Sequence, residues 1–91
     1  MSRFRDDPGE RRFELEEGGH VAFADYRIEP NGVRVIRHVE APPALRGTGA
    51  AKRLMDAAVA HARLNGFKLR ARCPYAVAYF ERYPKERDVL G

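Results

Sequence analysis

Three features of this sequence hold residues that do chemistry. In "HVEAPP", His38 and Glu40 put an imidazole and a carboxylate near the end of an extended segment. Imidazole titrates near neutrality and is a natural general base; Glu40 has a similar role open to it. In "RARCPY", the single cysteine, Cys73, sits where a strand pattern gives way to a helix pattern. A helix amino terminus favours a thiolate, so the position suits a reactive sulfur. A small buried hydrophobe is the other reading. One cysteine makes neither an internal disulfide nor a cysteine-based zinc site. Between these segments lies "LRGTGAA". Gly47 and Gly49 let the backbone curl and let an anion come close with no Cβ in the way. The helical turn that follows offers free N–H groups and a positive dipole end, which suit phosphate. No Gly-Lys-Ser/Thr follows, so this is not a P-loop, and the third glycine of a dinucleotide fingerprint is absent.

These residues need elements to position them. "RRFELEE" alternates with Phe13 and Leu15 on one face and reads as a strand. "GG" at 18 and 19 is a hairpin turn. "HVAFADYRIE" is a second strand, with Val21 and Phe23 on one face and Ala22, Ala24, Tyr26 and Ile28 on the other. "NG" at 31 and 32 turns the chain again. "VRVIRHVEA" is a third strand, with Val33, Val35, Val39 and Ala41 expected to share a face. Pro42 and Pro43 end it. From about Thr48 to Asn65, the residues Leu54, Met55, Ala58, Val59 and Ala62 form one apolar helical stripe, and Gly66 stops the helix. "FKLRARC" is a fourth strand, parallel to the third through the helical crossover. "PYAVAYFERYP" is a short second helix with Ala76, Tyr79, Phe80 and Tyr83 on its apolar side. The expected fold is therefore α+β: a single mixed sheet with an antiparallel three-stranded meander, a parallel fourth strand and two helices. Residues 1–10 are expected to be a flexible lead-in, because Asp6, Asp7, Pro8 and Gly9 break regular structure. Residues 11–91 form the domain, with the last few loose.

Composition narrows the function classes. The chain has 91 residues, which suits one domain with one modest core. No apolar run approaches the roughly 20 residues that span a bilayer. "MSRFRDDPGERR" lacks a signal-peptide core, so a cytoplasmic protein is expected. Net charge is +4, and 14 of the 17 basic residues are arginine. Arginine favours phosphate, but acidic residues are interspersed and no basic block appears. The basic excess is compatible with nucleic acid, an anionic membrane surface or a phosphorylated small molecule, and the interspersed acids argue against a dedicated nucleic-acid binder; with no spanning run, no membrane partner is expected.

The pattern Arg46-Gly47-Thr48-Gly49-Ala50-Ala51 resembles the Gln/Arg-x-x-Gly-x-Gly/Ala signature of the GNAT superfamily of N-acetyltransferases. The segments "HVEAPPALRGTG", "ARLNGFK" and "CPYAVAYFERYP" resemble more closely a minimal acetyltransferase-like subgroup, the YjdJ type. The likeness spans roughly residues 11–84, in order and in spacing. Three positions depart from the subgroup pattern: Ala41 replaces valine, Tyr83 replaces histidine and Lys85 replaces an acidic residue.

The resemblance implies a GNAT-like fold and acetyl-CoA as cosubstrate, with no metal. It implies that the turn from Arg46 through Gly47, Thr48, Gly49, Ala50 and Ala51 to Lys52 wraps the pyrophosphate. The pantetheine arm would pair along the strand edge near Val39 and Ala41. Lys52 and Arg53 would meet the 3′-phosphate, or form a solvated helix face. Among catalytic candidates, Cys73 is an acyl-accepting nucleophile or a lining of the thioester pocket. His38 is a base or orders the loop. Glu40 is a base or an exposed strand-end carboxylate. Tyr79 protonates the leaving thiolate or fills the core. The acceptor would be a small-molecule amine or a protein lysine. The alternatives are a module that binds acetyl-CoA or CoA with little or no turnover, and, further off, a small nucleic-acid-binding domain. A chain this short has an open cleft that a second copy could complete as a homodimer.

Overall fold

A computed structural model of the chain describes residues 2–91. The alternating first half forms four antiparallel strands: β1 (Ser2–Asp7), β2 (Arg12–Glu17), β3 (His20–Ile28) and β4 (Arg34–Glu40). Phe13 and Leu15 of β2 stand opposite Ala24 and Ala22 of β3, and all four are buried. Alternate residues of a pleated strand face opposite ways, so Val21, Phe23 and Asp25 face the other side. From β4 the chain passes through a 3-10 turn, Pro43–Leu45, into helix α1 (Ala50–Asn65). It returns as β5 (Leu69–Ala71), parallel to β4. Helix α2 (Pro74–Arg82) and a 3-10 segment, Pro84–Val89, complete it. Strand order in the sheet follows chain order from β1 to β5.

The apolar stripe of α1 lies flat on this sheet. Leu54, Met55, Ala58, Val59 and Ala62 are each 0% exposed. Alanines supply helix propensity, while Leu54, Met55 and Val59 each contribute about 1.5–3 kcal/mol of burial. Gly66 ends the helix in the left-handed region, at φ 74°, and its N–H donates to the Ala62 carbonyl. Residues of α2 join the same core as those of α1, and Tyr79 of α2 donates its hydroxyl to Asp56 of α1 at 2.7 Å. Both helices therefore cover one face of the sheet, and the other face is open.

Three expectations are corrected. The lead-in is not frayed: Ser2–Asp7 is an edge strand with Phe4 opposite Leu15, and Phe4 packs on the core. Met1 lies outside the described residues. Asp6, which reads locally as a breaker, is an anchor. It accepts from the Tyr26 hydroxyl at 2.5 Å, pairs with Arg34 and contacts His61 Nε2 at 3.2 Å. Burial pushes its carboxyl up, but the hydrogen bonds from Tyr26, Arg34 and His61 leave it below its ordinary range. The tail is not loose either. Val89 is buried, Leu90 bridges to Leu69, and the Gly91 N–H donates to the Leu69 carbonyl at 3.0 Å.

The third correction concerns β4. Asp25 stands opposite His38, yet the next residue, Tyr26, stands opposite Ile36. Arg37 is thus one residue too many, a β-bulge. The extra residue flips the side-chain parity. Val33 and Val35 face the open side, whereas Ile36 belongs to the core and Val39 and Ala41 pack against it. The four residues expected on one face are divided between two.

Candidate active site

The bulge lies where β4 and β5 part. Their pairing ends at Ile36 opposite Ala71. The Ile36 carbonyl accepts from the N–H groups of Arg72 (2.9 Å) and Cys73 (3.3 Å). The chain then turns into α2, while β4 continues through Arg37–Glu40 with no partner on that side. The result is a gap flanked by the glycine turn and the start of α2.

The glycine turn is braced from behind. Leu45 is buried and anchors it. Thr48 Oγ1 donates to the Leu45 carbonyl at 2.6 Å. Arg53 donates from Nη1 to the Thr48 carbonyl (2.9 Å) and grips Glu17 of β2 through Nε and Nη2 (2.8 and 2.7 Å). The Arg53 hydrogen bond, with Ser2 assisting, holds the Glu17 carboxyl down at about 2. Gly47 (φ 76°) and Gly49 (φ 86°) both adopt the left-handed conformation, which a side chain at either position would strain.

The front of the turn is unsatisfied. Gly49 is the N-cap of α1 and offers no side-chain acceptor. The Ala50 N–H reaches Thr48 Oγ1 at 3.3 Å. The N–H groups of Gly47, Gly49, Ala51 and Lys52 have no acceptor among the described residues. These donors and the helix dipole create a site for an anion. A Cβ on Gly47 would meet no atom within 4 Å, so the space beside this glycine is open. The turn borders a cavity of about 280 Å³ that also touches Ala41 at the end of β4 and Tyr75 on α2. Arg46 closes one edge, with Nε donating to the Ala41 carbonyl at 3.1 Å. Ala41, Arg46, Gly47, Gly49, Ala50, Ala51 and Lys52 line this one cavity. Thr48 supports the turn from behind, and Val39 lies two residues before Ala41. Arg53 is spent on the brace instead of facing a ligand.

The catalytic candidates do not converge on one point. Cys73 is the N-cap of α2; its sulfur accepts from the Ala76 N–H at 3.3 Å, and the residue is 6% exposed. His38 and Glu40 are bonded to each other, Nε2 to Oε1 at 2.9 Å, and both are exposed. They lie on the open face, beside Phe23, whose ring centroid is 6.2 Å from that of His38. The gap between the strands thus separates the imidazole pair from the glycine turn on the helix side. Tyr79 is buried, with its hydroxyl on Asp56. Desolvation first, and the Asp56 hydrogen bond second, push its phenol well above the ordinary value. That proton is committed to a carboxylate, so the core reading fits Tyr79.

Two residues of this region were missed. Tyr75 is 41% exposed and lines the cavity. The signal was available: it is an aromatic residue off the apolar side of α2. Asp56 accepts from both Tyr79 and Lys52, the latter at 2.7 Å. Only its i,i+4 spacing from Lys52 hinted at this.

Residues 12–89 match the family model of the GCN5-related N-acetyl-transferase. The fold is also similar to a solution structure described as a "GCN5-like putative N-acetyltransferase from Staphylococcus aureus". That likeness has 30% sequence identity and a TM-score of 0.73, over 98% of this chain and 87% of that one. The chain belongs to the GCN5-related N-acetyl-transferase family. No curated protein matches it. Among the described residues, no three His, Cys, Asp or Glu side chains group as metal ligands, and no helix is long and apolar enough to cross a membrane.

Proposed function

We propose that this protein transfers an acetyl group from acetyl-CoA to an amine. The observation that carries the reading is the row of unpartnered N–H groups at Gly47, Gly49, Ala51 and Lys52, residues that line a cavity at a helix amino terminus. These donors fit a pyrophosphate, whose charge the helix dipole stabilises further. The unpaired edge of β4 at Val39 and Ala41 lies next to the turn and suits an extended amide-bearing arm. Bound acetyl-CoA would supply the activated acyl group as a thioester.

The remaining steps belong to side chains at the gap. An amine attacks only as the free base, so a proton must be removed from the acceptor. The exposed His38–Glu40 pair is placed to take it, with Glu40 accepting from the imidazole and orienting it. The acceptor would approach from the open face and the thioester from the helix side. Cys73, 6% exposed and with its sulfur already accepting from Ala76, lines the gap instead of attacking. A helix phenol that faces the cavity is Tyr75, which replaces Tyr79 as the candidate proton donor to the departing thiolate. Burial is the main cause that raises the Tyr75 phenol above its ordinary value, which keeps its proton in place until a strong base forms.

Thermal unfolding with acetyl-CoA, CoA and ATP tests the binding half. At a ligand concentration of ~100 times Kd, stability should rise by about 2.7 kcal/mol, or about ten degrees or more in midpoint. Acetyl-CoA and CoA should produce the shift and ATP should not. An amine panel with thiol-release detection then tests transfer. Binding without turnover of any amine would favour a CoA-binding module, and no shift with any of the three would overturn the reading.

A further inference from the structure

Strand β3 outruns its neighbour. The Tyr26 N–H already donates to the Arg11 carbonyl in the β1–β2 turn, at 2.9 Å, and Arg27 and Ile28 extend past it. On the other side, the Glu29 N–H donates toward β4, to the Val33 carbonyl at 2.8 Å. N–H groups alternate sides along an antiparallel strand, so the Ile28 N–H points away from β4, into the notch that β2 leaves. No acceptor in the β1–β2 turn meets it.

A cavity of about 390 Å³ occupies this notch. Arg11 of the turn, Arg27 of β3 and Arg37 of β4 line it, against one acid, Glu10. Arg37 is the extra residue of the bulge, and Arg11 is the one non-glycine residue with positive φ, at 56°, among the described residues. Neither has a carboxylate partner among them. Arg27 pairs with Glu29 at 3.1 Å, but Glu29 also takes Arg70 at 3.3 Å, so one carboxylate serves two guanidiniums. Three guanidiniums and a free N–H form a surplus suited to an anion.

The notch adjoins the His38–Glu40 pair. Arg37 is the residue before His38. Asp25, opposite His38, is two residues from Arg27, about 7 Å along a strand. Arg12, the cation opposite Asp25, is committed to Glu14. Carboxylates around His38 therefore give way to arginines at the notch. An amine, cationic until it loses its proton, suits the first, and an anionic group suits the second.

We propose that the acceptor is an amine with a carboxylate or phosphate within about 7 Å of its nitrogen, the anion held by Arg11, Arg37 and the Ile28 N–H. The proposal rests on acetyl transfer at the His38–Glu40 pair. In that step the amine N–C bond forms as the thioester C–S bond breaks, and the proton lost by nitrogen balances the one gained by the departing thiolate.

Two matched pairs of acceptors test it on the full chain with acetyl-CoA: 4-aminobutyrate against butylamine, and O-phosphoethanolamine against ethanolamine. The anionic member of a pair should have a kcat/KM about tenfold higher or more, the scale of one charge-assisted hydrogen bond. The pair with the larger ratio tells carboxylate from phosphate. Arg37→Gln and Arg11→Asn, both at exposed positions, should each draw that ratio toward one; asparagine tolerates the left-handed turn. In an amide-resolved NMR titration, the Ile28 amide should shift with the anionic amine and stay in place with its partner. Equal kcat/KM within both pairs would overturn the anionic acceptor and leave acetyl transfer standing. No Ile28 shift with either anionic amine would overturn the notch as an anion site, whatever the rates. An Ile28 shift with no acetylation of the anionic amines would keep the anion site and strike its role in holding the acceptor; acetylation across the wider amine panel decides the transfer reading separately.

Discussion

At the amino end of β4, Arg34 is enclosed. Its guanidinium lies 3.9 Å from the centroid of the Phe67 ring and 5.0 Å from that of Tyr26, and it pairs with Asp6. At the carboxyl end of the same strand the pairing stops, the chain bulges, and the next turn leaves a row of N–H groups without acceptors. The two ends share strand geometry but not saturation. In the Arg34 cluster each polar group has a partner from a different element: β1, β3 and α1 all contribute. No capacity remains there for a ligand, despite two ionised residues and a histidine. At the glycine turn Arg46 and Lys52 are bonded to the Ala41 carbonyl and to Asp56, yet the backbone has donors to spare. Unsatisfied hydrogen-bonding capacity, more than the presence of titratable residues, is what supports the proposal that this end is the working one.

The largest effect should come from breaking the closed end. Asp6→Ala leaves Arg34 and Tyr26 without their common acceptor in a mostly buried setting, where losing one partner costs about 3 kcal/mol. The unfolding midpoint should fall by about 12 °C or more. The affinity of the surviving folded protein for CoA should stay within about twofold, well inside the 1.4 kcal/mol of a tenfold change. Gly47→Val inverts this pattern. A β-branched residue at φ 76° should cost about 1–2 kcal/mol of stability and fill the open space with two methyls. CoA affinity should fall more than tenfold, measured by calorimetric titration.

Tyr79→Phe should cost about 1 kcal/mol by removing one hydrogen bond to Asp56. Turnover should persist, because that phenol is occupied. Tyr75→Phe should spare stability and lower turnover, which separates the two tyrosines. The smallest effect concerns acid. Glu17 is held at about 2 when folded, against 4.5 in the free side chain. A depressed folded value means that its stabilisation is fully present above 4.5 and lost as pH falls toward 2. Glu17→Gln should therefore lower the midpoint modestly at neutral pH and flatten its fall over that window, the two proteins converging as pH approaches 2. The remaining acid slope is shared among the other depressed carboxyls, Asp6, Asp7 and Asp88.

Much of the fold was legible because its signals are local. The stripe of α1, the stop at Gly66 and the alternation in β2 and β3 all fix neighbours within a few residues. Strand β1 was not legible, because what orders Asp6 is Tyr26, Arg34 and His61, 20 to 55 residues away in sequence. The bulge at Arg37 was hidden for a related reason. Its only signature is the register of two strands, which alternation within one strand does not report. At the site, glycines and small residues announced the turn directly. The division of His38 and Cys73 between two faces followed from the bulge and was therefore invisible. The roles of Lys52 and Arg53 depended on Asp56 and Glu17, whose positions only the packing of α1 defines.

The most direct measurement is an amide-resolved NMR titration of the 91-residue chain with CoA. The account predicts large downfield shifts of the Gly47, Gly49, Ala51 and Lys52 amide protons, as free donors take up phosphate oxygens. The amides of Tyr26 and Arg34 should barely move. If saturating CoA leaves the turn amides in place, or shifts the closed end as strongly, the turn is only a connection, and the assignment of a working end to β4 is contradicted.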